Sequence, residues 1–120
     1  ETTLSGLAFR KVLSTAKSNG FEITIAFKFL DTADACLARV EERVRKGGHH
    51  VPEVDVRRRF SRSIVNFWNL YREMADNWVL LYNGLGQLQD VAAGARMYIS
   101  VRDPALFSDF MAIVGASGDE

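Results

Sequence analysis

Apolar residues along this chain recur at two periods, and the switching between them predicts a layered α/β protein. Phe9, Val12, Leu13 and Ala16 fall at i, i+3, i+4 and i+7, the stripe of an amphipathic helix. Asn19-Gly20 ends it, since both residues tolerate positive φ. From Phe21 to Leu30 the period drops to two. Phe21, Ile23, Ile25, Phe27 and Phe29 alternate strictly and predict a strand. Ala26 and Leu30 make its second face partly apolar, as when helices cover both faces of a sheet. Asp31 is the expected N-cap of the next helix, with Asp34 in its first turn. That helix runs to about Lys46 with Ala33, Cys36, Leu37, Val40 and Val44 as its buried stripe, and Gly47-Gly48 stops it. After His49-His50-Val51, Pro52 suits the first turn of a long helix from about Glu53 to Asp76. Val56, Phe60, Ile64, Phe67, Tyr71 and Met74 form its stripe, widened by Trp68.

Trp78 to Tyr82 is a short apolar run that predicts a buried strand, broken by Asn83-Gly84. Gly84 to Gly94 reads as loop or weak helix. Met97 to Val101 predicts a third strand at a sheet edge, and Asp103-Pro104 opens a short helix to about Val114. The last residues, from Gly115 to Glu120, are expected to fray. The connections between strands are long enough for parallel crossovers. A single domain over 1–115 with a tail over 116–120 follows.

Composition narrows the function. The chain has 120 residues, 48% of them hydrophobic, so it can build a core and is not of the disordered class. Fifteen basic residues balance fifteen acidic ones, which argues against a wholesale nucleic-acid or membrane-surface binder. Cys36 is the single cysteine, so no intrachain disulfide forms; a small buried side chain is its expected role. Cys36, His49 and His50 are too few for a structural zinc site. No apolar run reaches roughly eighteen residues and no basic-then-apolar leader is visible, which predicts a cytoplasmic protein with no membrane partner.

The charge is nevertheless unevenly spread. Eight of the fifteen basic residues lie between Arg39 and Arg62: Arg39, Arg43, Arg45, Lys46, Arg57, Arg58, Arg59 and Arg62. They flank the Gly47-Gly48-His49-His50 turn. Guanidinium forks match phosphate oxygens, and converging arginines stabilise charge in phosphoryl transfer. The plainer reading is two solvated helix faces with pairs such as Glu42–Lys46. Gly47-Gly48 allows close approach of backbone to a ligand, or is a simple helix stop. His49 gains interest only from lying inside the cluster. Glu1 and Thr3, two apart, face the same way in an extended segment. A carboxylate there can hold Mg²⁺ through water and a hydroxyl can bind phosphate or substrate; equally, Thr3 or Ser5 can simply cap the first helix.

Several stretches together carry a resemblance. They are Glu-Thr-Thr-Leu-Ser-Gly at 1–6, Arg-Val-x-x-Arg-Val-x-x-Gly-Gly-His at 39–49 and Val-Pro-Glu at 51–53. Arg-Arg-Arg-Phe-x-Arg-Ser at 57–63, Asn66-Phe67, Trp78 and Tyr82-Asn83 follow. Over roughly residues 1 to 84 the chain resembles the zeta-toxin-like family of small P-loop kinases. The resemblance implies a partial three-layer P-loop kinase-like sheet with helices on both faces and its central strand missing. It implies an ATP- and Mg²⁺-dependent phosphotransferase acting on a small molecule, a sugar nucleotide in the better-known toxins, with an antitoxin-like protein as partner. Ser5 departs from the arginine that family members carry there, which bears on the sugar-nucleotide substrate. Glu1 and Thr3 would border substrate and metal. Arg43, His49, Arg58 and Arg59 would form a nucleotide-binding lid, with Arg43 and Arg58 acting on the transferred phosphate; no residue is assigned as a direct metal ligand.

No Gly-x-x-x-x-Gly-Lys-Ser/Thr segment occurs, and the aspartate base that follows that loop in the family has no counterpart. The chain opens directly in a motif-like stretch at Glu1, as a portion of a larger kinase would. Alone it is expected to be inactive and to expose a sheet edge that invites homo-oligomers. The alternative is a non-catalytic module that uses the arginine-rich helix on nucleic acid or a protein partner.

Overall fold

The computed structural model describes residues 2–84, 87–96 and 98–118. Glu1 and Met97, both named above, lie outside them. The elements are α1 (Phe9–Ser18), β1 (Thr24–Phe29), α2 (Ala33–Arg45) and α3 (Glu53–Asn66). Helix α3 continues into a π turn (Phe67–Tyr71) and a closing turn (Arg72–Met74). Then come β2 (Asn77–Tyr82), β3 (Gln89–Ala95), β4 (Tyr98–Val101) and α4 (Pro104–Gly118). The fold is mixed α/β around a four-stranded sheet in the order β1-β2-β3-β4. Strands β1 and β2 are parallel, with α2 and α3 as the crossover, while β3 and β4 add antiparallel.

The alternating strand Phe21–Phe29 packs as its pattern demands. Phe27 and Phe29 are buried, while Thr24, Ala26 and Lys28 on the other face are exposed. The expectation of helices on both faces is therefore corrected. Buried Trp78 and Leu80 share the face of Phe27, and Ile64, Phe67, Tyr71, Phe110 and Val114 from the helices complete one core there. Thr24 and Lys28 interrupt the second face, and Ala26 alone offers too little apolar area to hold a helix. The core is aromatic. Phe67 stacks on Phe27 with centroids 4.5 Å apart and planes 3° from parallel. Phe110 meets Phe29 edge-on at 5.0 Å, and Trp78 meets Phe67 at 6.0 Å.

Three further expectations change. Thr32, not Asp31, caps α2: its hydroxyl accepts the Ala35 N–H at 3.0 Å, while Asp31 accepts the Tyr82 hydroxyl at 3.2 Å. Residues 84–94 contain a strand rather than a loop or helix. The β2–β3 register shifts between Leu80 and Leu81, so Val91 and Ala92 are both buried and period-two alternation is lost. Helix α4 runs past the expected end near Val114 to Gly118, anchored by Phe110 and Val114. Among the described residues no helix is long and apolar enough to cross a membrane.

Gly94 shows how tightly β2 and β3 fit. A Cβ there would sit 2.5 Å from the Trp78 indole, whose buried N–H has no partner among the described residues. Gly94→Ala is expected to lower unfolding free energy by about 1–3 kcal/mol, read as a lower urea midpoint. An unchanged midpoint would mean that the Trp78 ring moves freely.

Candidate functional site

The site forms where α2, α3 and the N-terminal segment meet the C-terminal half of β1. Helix α2 ends in a glycine-capped turn. Gly47, at φ 92°, donates its N–H to the Val44 carbonyl at 3.0 Å, and Gly48 donates to the Arg43 carbonyl at 2.7 Å. A Cβ on Gly48 would lie 2.9 Å from the Arg43 carbonyl oxygen. The glycine pair thus turns the chain directly beneath Arg43.

The N-terminal segment is a tight polar turn. Leu4 adopts φ 59°, the left-handed region uncommon for a leucine, with its side chain 5% exposed. The Thr3 and Ser5 hydroxyls are 2.9 Å apart. Asn66 Nδ2 donates to the Leu4 carbonyl at 3.0 Å, and the Tyr71 hydroxyl donates to the Gly6 carbonyl at 2.7 Å. The turn is therefore fastened to the far end of α3.

Between these parts lies a cleft of about 200 Å³. Thr3, Arg43, Arg59 and Ser63 give it polar groups, and Phe29, Val40, Phe60 and Ile64 give it an apolar floor. It flanks the C-terminal end of a parallel strand, where open α/β sheets place ligands.

The other arginines of the cluster are engaged by carboxylates. Arg57 binds Asp34 at 2.7 Å and Glu53 at 3.1 Å, and these hydrogen bonds hold it still more firmly protonated. Arg58 binds Asp55 at 2.9 Å and does not line the cleft. Arg39 donates to the Asn83 carbonyl, tying α2 to the end of β2. Arg43 and Arg59 form no ion pair among the described residues. Of the residues singled out from sequence, the fold brings together Thr3, Arg43 and Arg59. It places Arg58 on another face of α3 and leaves His49 exposed outside the cleft; Glu1 lies outside the described residues.

Sequence reasoning missed Ser63 and the cleft-lining role of Cys36. A signal existed for both: Cys36, Val40 and Arg43 follow at i, i+4 and i+7, and Arg59 and Ser63 at i and i+4. Burial pushes the Cys36 thiol above its ordinary pKa; Arg39 lowers it and Asp31 raises it by smaller amounts.

The lining residues that carry donors are Arg43, Arg59, Lys28, Thr3 and Ser63, and guanidinium and hydroxyl groups match phosphate oxygens. Among the described residues no three His, Cys, Asp or Glu side chains group as metal ligands; Glu1, the carboxylate that the resemblance sets beside metal, lies outside them.

No family model matches this chain, and no solved structure matches it. It is 37% identical over 60 residues to an uncharacterized protein of Haemophilus influenzae. That stretch is 50% of this chain, and the chain spans only 43% of the relative's length.

The raised Cys36 pKa has a kinetic consequence. Less thiolate is present in the folded protein at pH 8 than in the unfolded chain, so iodoacetamide is expected to alkylate Cys36 several-fold more slowly in buffer than in urea. The neutral thiol favours the fold, so this contribution is present below the ordinary thiol pKa and is lost as pH rises through the folded value. Equal alkylation rates in buffer and urea would remove the desolvation argument.

Proposed function

We propose that this chain supplies the lid and substrate-side part of an ATP-dependent phosphotransferase of the zeta-toxin-like kind. The observation that carries the reading is that Arg43 of α2 and Arg59 of α3 line one cleft that Thr3 borders. Their neighbours Arg57 and Arg58 are paired with carboxylates, whereas these two are not, among the described residues. Two cations held 16 positions apart by a glycine turn suit an anion that gathers charge, as a phosphoryl group does between donor and acceptor oxygens.

ATP would supply the phosphoryl group. Arg43 and Arg59 would bind its oxygens, and Thr3 and Ser63 would offer hydroxyls for orientation. The apolar floor would exclude water from the reacting oxygens. The chain carries no Walker loop and no aspartate base in the family's position, so both must come from elsewhere.

The competing reading, an arginine-rich helix that grips nucleic acid, loses support from the same pairing. Arg57 and Arg58 already have carboxylate partners on the protein, which lowers the charge α3 presents.

Two measurements test the reading. The 120-residue chain alone is expected to turn over no ATP. In a protein that joins it to a Walker loop, Arg43→Ala and Arg59→Ala are each expected to slow phosphoryl transfer by at least about a hundredfold, whereas Arg57→Ala changes it little. Undiminished transfer by Arg43→Ala would take that residue out of the mechanism.

A further inference from the structure

The two hydrogen bonds that fasten the N-terminal turn leave from residues which an unbroken α-helix does not align. Asn66 reaches the Leu4 carbonyl and Tyr71 reaches the Gly6 carbonyl, yet the two donors are five positions apart. At 3.6 residues per turn, side chains five apart point about 140° away from each other. In a π turn the hydrogen bond closes from i to i+5, so five residues make roughly one full turn. The Arg72 N–H donates to the Phe67 carbonyl in that pattern. The inserted residue rotates Tyr71 back onto the side of Asn66, and both then meet carbonyls two residues apart on one turn.

That turn needs holding. Leu4 at φ 59° costs energy for a side chain with a branched body, and the backbone relaxes unless neighbours fix it. With Leu4 held, Thr3 keeps its place in the cleft lining and its hydroxyl stays 2.9 Å from Ser5 Oγ. Neither Asn66 nor Tyr71 lines the cleft.

We propose that Asn66 and Tyr71 are positioning residues for the anion site, aligned by the π turn so that together they hold Thr3 against Arg43 and Arg59. The proposal rests on the reading of the cleft as a phosphate site, and the test separates the two.

Inorganic pyrophosphate is titrated into the 120-residue chain and followed by the arginine side-chain N–H and Ser5 amide resonances. Arg43→Ala and Arg59→Ala report on the site itself. Tyr71→Phe keeps the buried ring and removes only the hydroxyl, and Asn66→Ala serves as a second variant should that one unfold. Each is expected to weaken pyrophosphate binding roughly two- to tenfold, in the range of one lost hydrogen bond. The deciding measurement repeats both in a Thr3→Ala background, where they are expected to have no further effect. If they weaken binding equally with and without the Thr3 hydroxyl, they act by general loosening and the positioning role is overturned. It is also overturned if they bind as the wild type does while the arginine variants do not bind. If the wild-type chain ignores pyrophosphate, or the arginine variants bind it unchanged, the phosphate-site reading fails and takes this proposal with it.

Discussion

The cleft depends on the face-to-face stack of Phe27 on Phe67. A parallel crossover has no tight hairpin to set how its helix lies on the strand, so side-chain packing must do it. Phe67 is fully buried, lies 4.5 Å from Phe27, and is touched edge-on by Trp78 and Phe110. With α3 fixed at Phe67, the residues one and two turns before it, Ser63, Phe60 and Arg59, fall beside the C-terminal half of β1. Beyond it, in the π turn, Tyr71 reaches the N-terminal segment. One aromatic contact therefore sets both walls of the site.

Charge is sorted on this frame by helical spacing. Glu53 precedes Arg57 by four and Asp55 precedes Arg58 by three, the orientation that favours pairing along a helix. Such exposed pairs add little stability, about 0–1 kcal/mol each. Their consequence is directional: they draw Arg57 and Arg58 away from the cleft and leave it to Arg43 and Arg59. The Gly47-Gly48 stop then matters for more than helix termination. It turns the chain under the Arg43 carbonyl, and α3 then follows packed on α2 so that arginines 16 positions apart share one hollow.

Much of this frame was legible in the chain. The strict alternation of Ile25, Phe27 and Phe29 gave β1, and the stripe from Val56 to Tyr71 gave α3. Strand β3 was not legible, because its Ala-Ala-Gly-Ala run carries almost no side-chain volume and its bulge buries two successive residues. The π turn was hidden because Phe67 and Tyr71 at i and i+4 look like an ordinary stripe; one inserted residue leaves no mark on local composition. Arg43 and Arg59 were visible only as members of a crowd. Asp55 stands three positions before Arg58 and four before Arg59, so spacing alone left open which of them it engages; the structure pairs it with Arg58. The left-handed Leu4 had no signal, since leucine is a poor candidate for that conformation.

The one-sided sheet bears on what surrounds the site. Strand β1 is at the sheet edge, beside the cleft, and an edge strand with so apolar an inner face is a surface on which another strand can pair. Exposed Lys28 on its outer face works against indiscriminate pairing, because two such edges meeting would bring like charges together. At the opposite edge β4 has no comparable charge among its described residues, and Tyr98 is 82% exposed. The two edges are thus unequal. Self-association through β1 is opposed by charge, whereas a strand bearing a carboxylate opposite Lys28 would pair there without that cost.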